Sequence, residues 1–274
     1  MSRFEELFSL SGKTALVTGG ATGIGSMLAT ALVRAGADVM IASRKADACE
    51  AMAGQINALK DAKGRAQGLA GDVSSKEGIL ALVAAVKARS GQLNILVNNA
   101  GITWGEPFES FPHEAWAKVM AVNVAGLFTL TRDLVPLLEK AATPADPARV
   151  INLGSVMGTS PLGDGAYSYA ASKAAVHHLT RILAKELARK HVTVNALAPG
   201  PFRSRMTAFA TGTDAKAEKV GNGVPLGRIG AASDIAGASL LLCGLGGAYI
   251  TGAVLPIDGG IHVETGHDLF AESE

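Results

Sequence analysis

The stretch Thr14-Ala15-Leu16-Val17-Thr18-Gly19-Gly20-Ala21-Thr22-Gly23-Ile24-Gly25 decides how the chain folds. Its first five residues read as a strand buried on both faces. Gly19, Gly23 and Gly25 make a tight turn, and Ile24–Ala35 has helical apolar spacing that stops at Gly36. A second apolar run, Asp38–Ala42, follows. In this order the backbone N–H groups at the helix start are free of the side chains that would block an approaching pyrophosphate. The spacing is Gly19-x-x-x-Gly23-x-Gly25 rather than G-x-G-x-x-G, and no phosphate-loop lysine follows. The stretch therefore points to a bound dinucleotide and away from nucleotide hydrolysis.

The same rhythm continues outward. Strands are expected at Arg65–Ala70, Leu93–Val97, Arg149–Leu153, Val192–Leu197 and Ala253–Ile257. Helices are expected at Ala46–Lys60, Lys76–Arg89, His113–Glu139, Ala170–Lys190 and Ser233–Cys243, the last capped by Ser233. Strand alternating with helix gives an α/β fold: a doubly wound, Rossmann-type parallel sheet of about seven strands with helices on both faces, in one domain spanning residues 1–274. The segment Ala141–Ala148, with Pro144 and Pro147, reads as a surface insertion. The long segment 199–227 reads as a substrate lid around a short helix at Asp214–Val220.

Composition narrows the class. The 274 residues carry 25 basic and 24 acidic side chains, 18% charged and 48% hydrophobic, with 33 glycines. This excludes a disordered chain, and the net charge of +1 argues against nucleic-acid or anionic-membrane partners. The uncharged stretch Ile235–Ile257 is long enough to span a bilayer, but Gly244, Gly246, Gly247 and Pro256 break it into a helix, a turn and a strand. Met1–Gly12 lacks the apolar core of a signal peptide. Cys49 and Cys243 form no metal or disulfide motif, so no metal is expected and a cytoplasmic location fits.

At the end of the second strand stand Ser43, Arg44 and Lys45, where an NAD site commonly places an acid for the ribose 2′-hydroxyl. Arg44 instead suits a 2′-phosphate, with Ser43 offering a hydroxyl, so NADP(H) is the expected cofactor. Further on, Tyr169 and Lys173 lie one helical turn apart on a shared face. Bringing a tyrosine from a pKa near 10 to about 7 takes roughly 4 kcal/mol. A cation about 4 Å away supplies roughly that at an effective dielectric of 20, so Lys173 alone is expected to suffice. Ser155 follows the fifth strand, at the crevice end of the sheet, where a hydroxyl can hold a carbonyl oxygen.

Together these residues resemble the classical short-chain dehydrogenase/reductase family, with matches from Thr14 through Gly260. The resemblance implies a cofactor turn from Thr18 through Gly19, Thr22, Gly23, Ile24 and Gly25, adenine contacts at Asp72 and Val73, and the Asn98-Asn99-Ala100-Gly101 segment beside the cofactor. It implies a catalytic tetrad of Asn123, Ser155, Tyr169 and Lys173, with Tyr169 and Lys173 also on the cofactor, and Pro199, Gly200, Phe202 and Ser204 along the nicotinamide. Two departures stand out. Thr22 occupies a position that is often basic in NADP users, and either Ser204 or Thr207 could meet the cofactor. Within the family, the segments at Trp104-Gly105, Pro147–Val150 and Pro201–Thr207 resemble the rhamnolipid-type branch of NADPH-dependent 3-oxoacyl reductases.

Trp104, Met157, Leu162, Phe202, Met206 and Phe209 are the expected pocket wall. Such a wall favours apolar ketones, secondary alcohols or acyl chains over sugars. Arg203 and Arg205 could meet an acyl-carrier phosphate, and the remaining histidines, His177 among them, read as packing or solvent residues. The other readings are an NAD(H)-dependent sugar or polyol dehydrogenase and a non-catalytic dinucleotide sensor on the same fold. By resemblance, the apolar faces of the two long helices and the last strand build a homotetramer.

Overall fold

The computed structural model describes residues 4–163 and 165–264. Seven parallel strands form one sheet: β1 Thr14–Thr18, β2 Asp38–Ser43, β3 Ala66–Ala70, β4 Ile95–Asn98, β5 Ala148–Leu153, β6 Val192–Pro199 and β7 Val254–Ile257. Their order is β3-β2-β1-β4-β5-β6-β7, the expected Rossmann order extended by a seventh strand. The order reverses direction between β1 and β4, which opens a crevice beyond their carboxyl ends.

Helices cover both faces because alternate strand residues point to opposite sides and both sets are apolar. On one face Val17, Ile41, Ile95 and Ile151 pack under α1 (Gly23–Arg34), α2 (Ala46–Asn57) and α9 (Ala232–Cys243). On the other, Leu16, Met40, Leu96 and Val150 meet α3 (Lys76–Arg89), α5 (Leu127–Ala141) and α6 (Tyr167–Leu187). Each fully buried side chain of this kind contributes about 1.5–3 kcal/mol.

Two polar devices cross this apolar packing. Asn98 on β4 donates from its carboxamide to Thr131 of α5 and to Asn152 of β5, and Asn152 donates to Thr180 of α6, each at 2.9 Å. At the opposite end of β5 the wholly buried Arg149 donates to the carbonyls of Leu242, Gly244 and Pro147 and pairs with Asp146. Asp146 also pairs with Lys13, so the insertion before β5 is tied to the core.

Several boundaries differ from the sequence expectation. The expected helix His113–Glu139 is α4 (His113–Met120), a π turn at Ala121–Gly126 and α5. The wide turn ends at Gly126, where the backbone passes so close to Val73 that a methyl would lie 2.2 Å from the Val73 carbonyl oxygen. The start of α9 is held by Asp234, which accepts from the Ala231 N–H, and not by Ser233. Ile235–Ile257 is divided between α9, a short 3-10 turn and β7. The longer apolar helical run, His113–Ala141, would reach across a membrane by length and composition, but its α5 part buries Leu130, Leu134 and Leu138 against the sheet. Segment 199–227 holds α7 (Ala208–Thr211) and α8 (Asp214–Gly221).

Candidate active site

The glycine turn is built as the sequence suggests. Gly19 and Gly23 have φ of +64° and +57°, a region that side chains with a Cβ rarely enter. A methyl at Gly25 would sit 2.3 Å from the Gly19 carbonyl oxygen. Thr22 caps α1 in extended conformation without spending its side chain on the helix. The first N–H groups of α1 and the Thr22 hydroxyl thus remain for a phosphate, with Ile24 partly buried just behind.

Thr18 and Asn99 knit this turn to β4. The Thr18 hydroxyl accepts from the N–H groups of Asn99 and Ala100, both at 3.1 Å, and the Asn99 carboxamide donates to the Thr18 and Gly19 carbonyls at 2.9 and 3.1 Å. These two side chains shape the cradle rather than reach into it. At the adenosine end Arg44 is exposed and makes no ion pair among the described residues. Asp72 is held below the usual carboxylate range first by hydrogen bonds from Ser74, with the Arg44 charge also lowering it. Val73 is buried beside it. Ser43 differs from expectation: its hydroxyl accepts from the Lys45 N–H at 3.2 Å and lies 3.0 Å from the Cys49 thiol, so it serves the start of α2. A dinucleotide with a 2′-phosphate fits this arrangement, since the exposed Arg44 leaves a guanidinium at that end.

The four expected catalytic residues converge across elements. Lys173, one turn along α6 from Tyr169, is 5% exposed and donates from Nζ to the Leu153 carbonyl at 2.6 Å. Asn123, in the π turn, accepts from the Ile102 N–H and donates to the Ile102 carbonyl and to the Ser172 hydroxyl, all at 2.9 Å. Ser172 in turn donates to the Tyr169 carbonyl at 2.7 Å. A methyl at Gly101 would lie 3.3 Å from Asn123 Oδ1 and 3.7 Å from Lys173 Nζ, so the two side chains meet over that glycine. Ser155, 7% exposed, accepts from the Met157 N–H and caps the turn Val156–Gly158.

The electrostatics correct one expectation. Burial raises the Tyr169 phenol above its ordinary value, and the hydrogen-bonded Ser155 hydroxyl pulls it back only in part. Burial lowers Lys173 to about 8. The ammonium lies 5.5 Å from the tyrosine ring centroid and is spent on a carbonyl, so Lys173 alone does not bring the phenol near neutrality.

Segment 199–227 reaches the turn. Pro199 ends β6, the Gly200 N–H donates to the Ile257 carbonyl, and Ser204 lies over the turn, its Cβ 3.0 Å from where a methyl on Gly23 would stand. The Thr207 hydroxyl is used within the segment itself, donating to the Phe202 carbonyl at 2.6 Å. Phe202 is no pocket wall. It is 1% exposed, in the core, with its ring where a Gly230 side chain would be. Of the other wall candidates, Met157 and Trp104 are half-buried, the latter under Lys118, while Leu162 and Met206 are exposed. Phe209 is 80% exposed. Arg203 is paired with Asp214 and Arg205 is exposed.

Three features escaped the sequence reading. Ser172 links Asn123 to the tyrosine turn, Phe108, Phe111 and Trp116 gather edge-on about Tyr167 and one another, and His177 is buried beneath Ser155. The density of aromatics between Trp104 and Trp116 is the one sequence signal among these. Among the described residues no group of three His, Cys, Asp or Glu side chains could hold a metal ion.

Comparison with known proteins agrees with this geometry. A family model described as Enoyl-(Acyl carrier protein) reductase matches residues 19–262. The chain is 46% identical over 256 residues to the rhamnolipids biosynthesis 3-oxoacyl-[acyl-carrier-protein] reductase of Pseudomonas aeruginosa, covering 93% of this chain and 98% of that one. It is 36% identical over 261 residues to the L-tagatose-forming galactitol 2-dehydrogenase of Cereibacter sphaeroides, covering 95% and 99%. The solved Pseudomonas aeruginosa RhlG/NADP active-site complex superposes with a TM-score of 0.89 at 46% identity, over 94% of this chain and 99% of that one. With the glycine turn, the crevice and the Tyr169–Lys173 pair in place, the chain is an enzyme of the short-chain dehydrogenase/reductase family.

Proposed function

We propose that the chain is an NADP(H)-dependent oxidoreductase that transfers a hydride between the nicotinamide and a ketone or secondary alcohol, with 3-oxoacyl thioesters or similarly apolar ketones as its substrates. The observation that carries the reading is the convergence of Tyr169, Lys173, Ser155 and Asn123 at the crevice end of β5, beside a glycine turn where β2 is followed by Arg44 and Lys45 in place of an acid.

When bound, NADPH supplies the hydride. Tyr169 gives its hydroxyl proton to the carbonyl oxygen, and Ser155 holds that oxygen as charge develops on it. Lys173 and Asn123 hold the proton path behind the phenol. Because burial opposes a phenolate, Tyr169 is a protonated acid at neutral pH, the form that donates to a ketone oxygen. Thr18 and Asn99 set the shape of the cofactor turn, Thr22, Gly23 and Gly25 face the phosphates, Asp72 and Val73 border the adenine, and Ser204 rather than Thr207 reaches the cofactor from the lid.

Segment 199–227 acts as the substrate lid of a single domain. Met157, Trp104, Leu162 and Met206 supply apolar cover, which suits acyl chains better than polyols. The exposed Phe128 and Ile182 on α5 and α6, and Tyr249 before β7, support a homotetramer built on these faces, and the free, buried Cys49 and Cys243 fit a location in the cytoplasm. Initial rates with acetoacetyl-CoA, a panel of apolar ketones and the corresponding polyols, each with NADPH and NADH, test the reading. The expected result is thioester or ketone reduction with NADPH, whereas faster oxidation of polyols with NAD overturns it in favour of a sugar dehydrogenase.

A further inference from the structure

His177 lies on α6 one turn beyond Lys173 and is 5% exposed. Its imidazole is wrapped by the segment that carries Ser155. Nε2 accepts from the Ser155 N–H at 3.4 Å, and Nδ1 stands 3.5 Å from the Thr159 hydroxyl. With Nε2 accepting, the ring proton sits on Nδ1 and faces Thr159.

The two glycines that bracket Ser155 make room for the ring. A methyl at Gly154 would fall 2.2 Å from His177 Nε2, and one at Gly158 would fall 2.7 Å from Cε1. Neither glycine has a positive φ, so space and not backbone conformation explains Gly154, while Gly158 also sits close against the backbone of α6. The ring is thus the floor on which residues 154–159 rest. Burial, with the charges of Lys173 and Arg181, lowers His177 to about 4, so it stays neutral beside the charged lysine and keeps Nε2 free to accept.

We propose that His177 is a positioning residue for Ser155: its imidazole, seated between Gly154 and Gly158, holds the Ser155 N–H and so sets where the Ser155 hydroxyl meets the reacting oxygen. The proposal rests on Ser155 being the oxygen-binding residue of the reading above. Packing alone would need only a ring-sized apolar filler, whereas positioning needs an acceptor at the place of Nε2. Glutamine reaches that place with an oxygen and leucine does not.

The test is steady-state kinetics of Ser155→Ala, His177→Leu and His177→Gln on the ketone that the wild-type enzyme reduces fastest, alongside NADPH titration by fluorescence. His177→Leu is expected to lower kcat about tenfold with NADPH affinity within about twofold of wild type, and His177→Gln to recover most of the loss. If His177→Leu does not fold, Gly154→Ala replaces it, since its methyl would take the ring's seat, and the same fall in kcat is expected. A kcat within about twofold of wild type in the variant used, or equal losses in the leucine and glutamine variants, overturns the proposal while leaving the serine in its role. Full turnover in Ser155→Ala sinks the serine assignment and this proposal together.

Discussion

The Lys173 ammonium donates to the backbone carbonyl of Leu153 at 2.6 Å, so the last residue of β5 and the second turn of α6 are joined by a buried charge. That contact orders the site before any ligand arrives. It also holds the lysine on the protein backbone, with the tyrosine ring centroid 5.5 Å away.

Burial makes this charge costly, and pH reveals the cost. Lys173 sits at about 8 in the fold against an ordinary 10.5, so between these pH values the unfolded chain binds more protons and folded stability rises with pH. Wild type should therefore gain about 3 kcal/mol relative to Lys173→Met from pH 8 to 10.5. Urea denaturation at a series of pH values measures the difference, and a gap that stays constant across the window contradicts the assignment.

Tyr169→Phe removes the proton donor and leaves the cofactor turn untouched. The expected kcat loss is between about 10² and 10⁴-fold. NADPH binding, followed by fluorescence, should survive. Turnover close to wild type would remove Tyr169 from the chemistry.

Arg44 is exposed at the end of β2 and free of ion pairs among the described residues, so its guanidinium is available to a 2′-phosphate. Arg44→Asp should raise the KM for NADPH by about 10 to 100-fold, the worth of a charge-assisted fork, and narrow or reverse the preference over NADH. Parallel KM measurements with the two cofactors decide it, and an unchanged ratio would place the specificity elsewhere.

Arg149 acts on stability alone. It satisfies the carbonyls of Leu242 and Gly244 at the end of α9 and pairs with Asp146, while Ser155 lies about 20 Å further along at the strand's usual rise. Arg149→Leu leaves those acceptors buried without a donor and should cost about 3–5 kcal/mol in chemical denaturation. Turnover per folded molecule should hold.

The fold was legible from residues 14–42 because a buried strand, a glycine turn and an amphipathic helix each have their own period, and these agree along the chain. All seven strands followed, with ends shifted by one or two residues, while their order is not written in the periodicity and comes from the Rossmann fold type, whose order the sheet has. The π turn was not legible, since Ala121–Gly126 keeps helical spacing and the close approach of Gly126 to Val73 that accompanies it has no local pattern. Phe202 misled because an aromatic in a long connecting segment looks like a wall until its ring is seen filling the place of a Gly230 side chain. His177 was hidden for a related reason. Its meaning lies in two glycines some twenty positions upstream, and no local pattern joins them.

The amide ladder from Thr131 through Asn98 and Asn152 to Thr180 also guards assembly. Asn98 and Asn152 are register partners, so sliding β4 against β5 by one residue would turn one amide to the opposite face and strand its polar atoms among leucines and valines. Were these strands purely apolar, they would offer many near-equivalent alignments to a chain still finding its pairing. The ladder makes one of them distinguishable from the rest, and so fixes the strand register on which the placing of Ser155, Tyr169 and Lys173 depends.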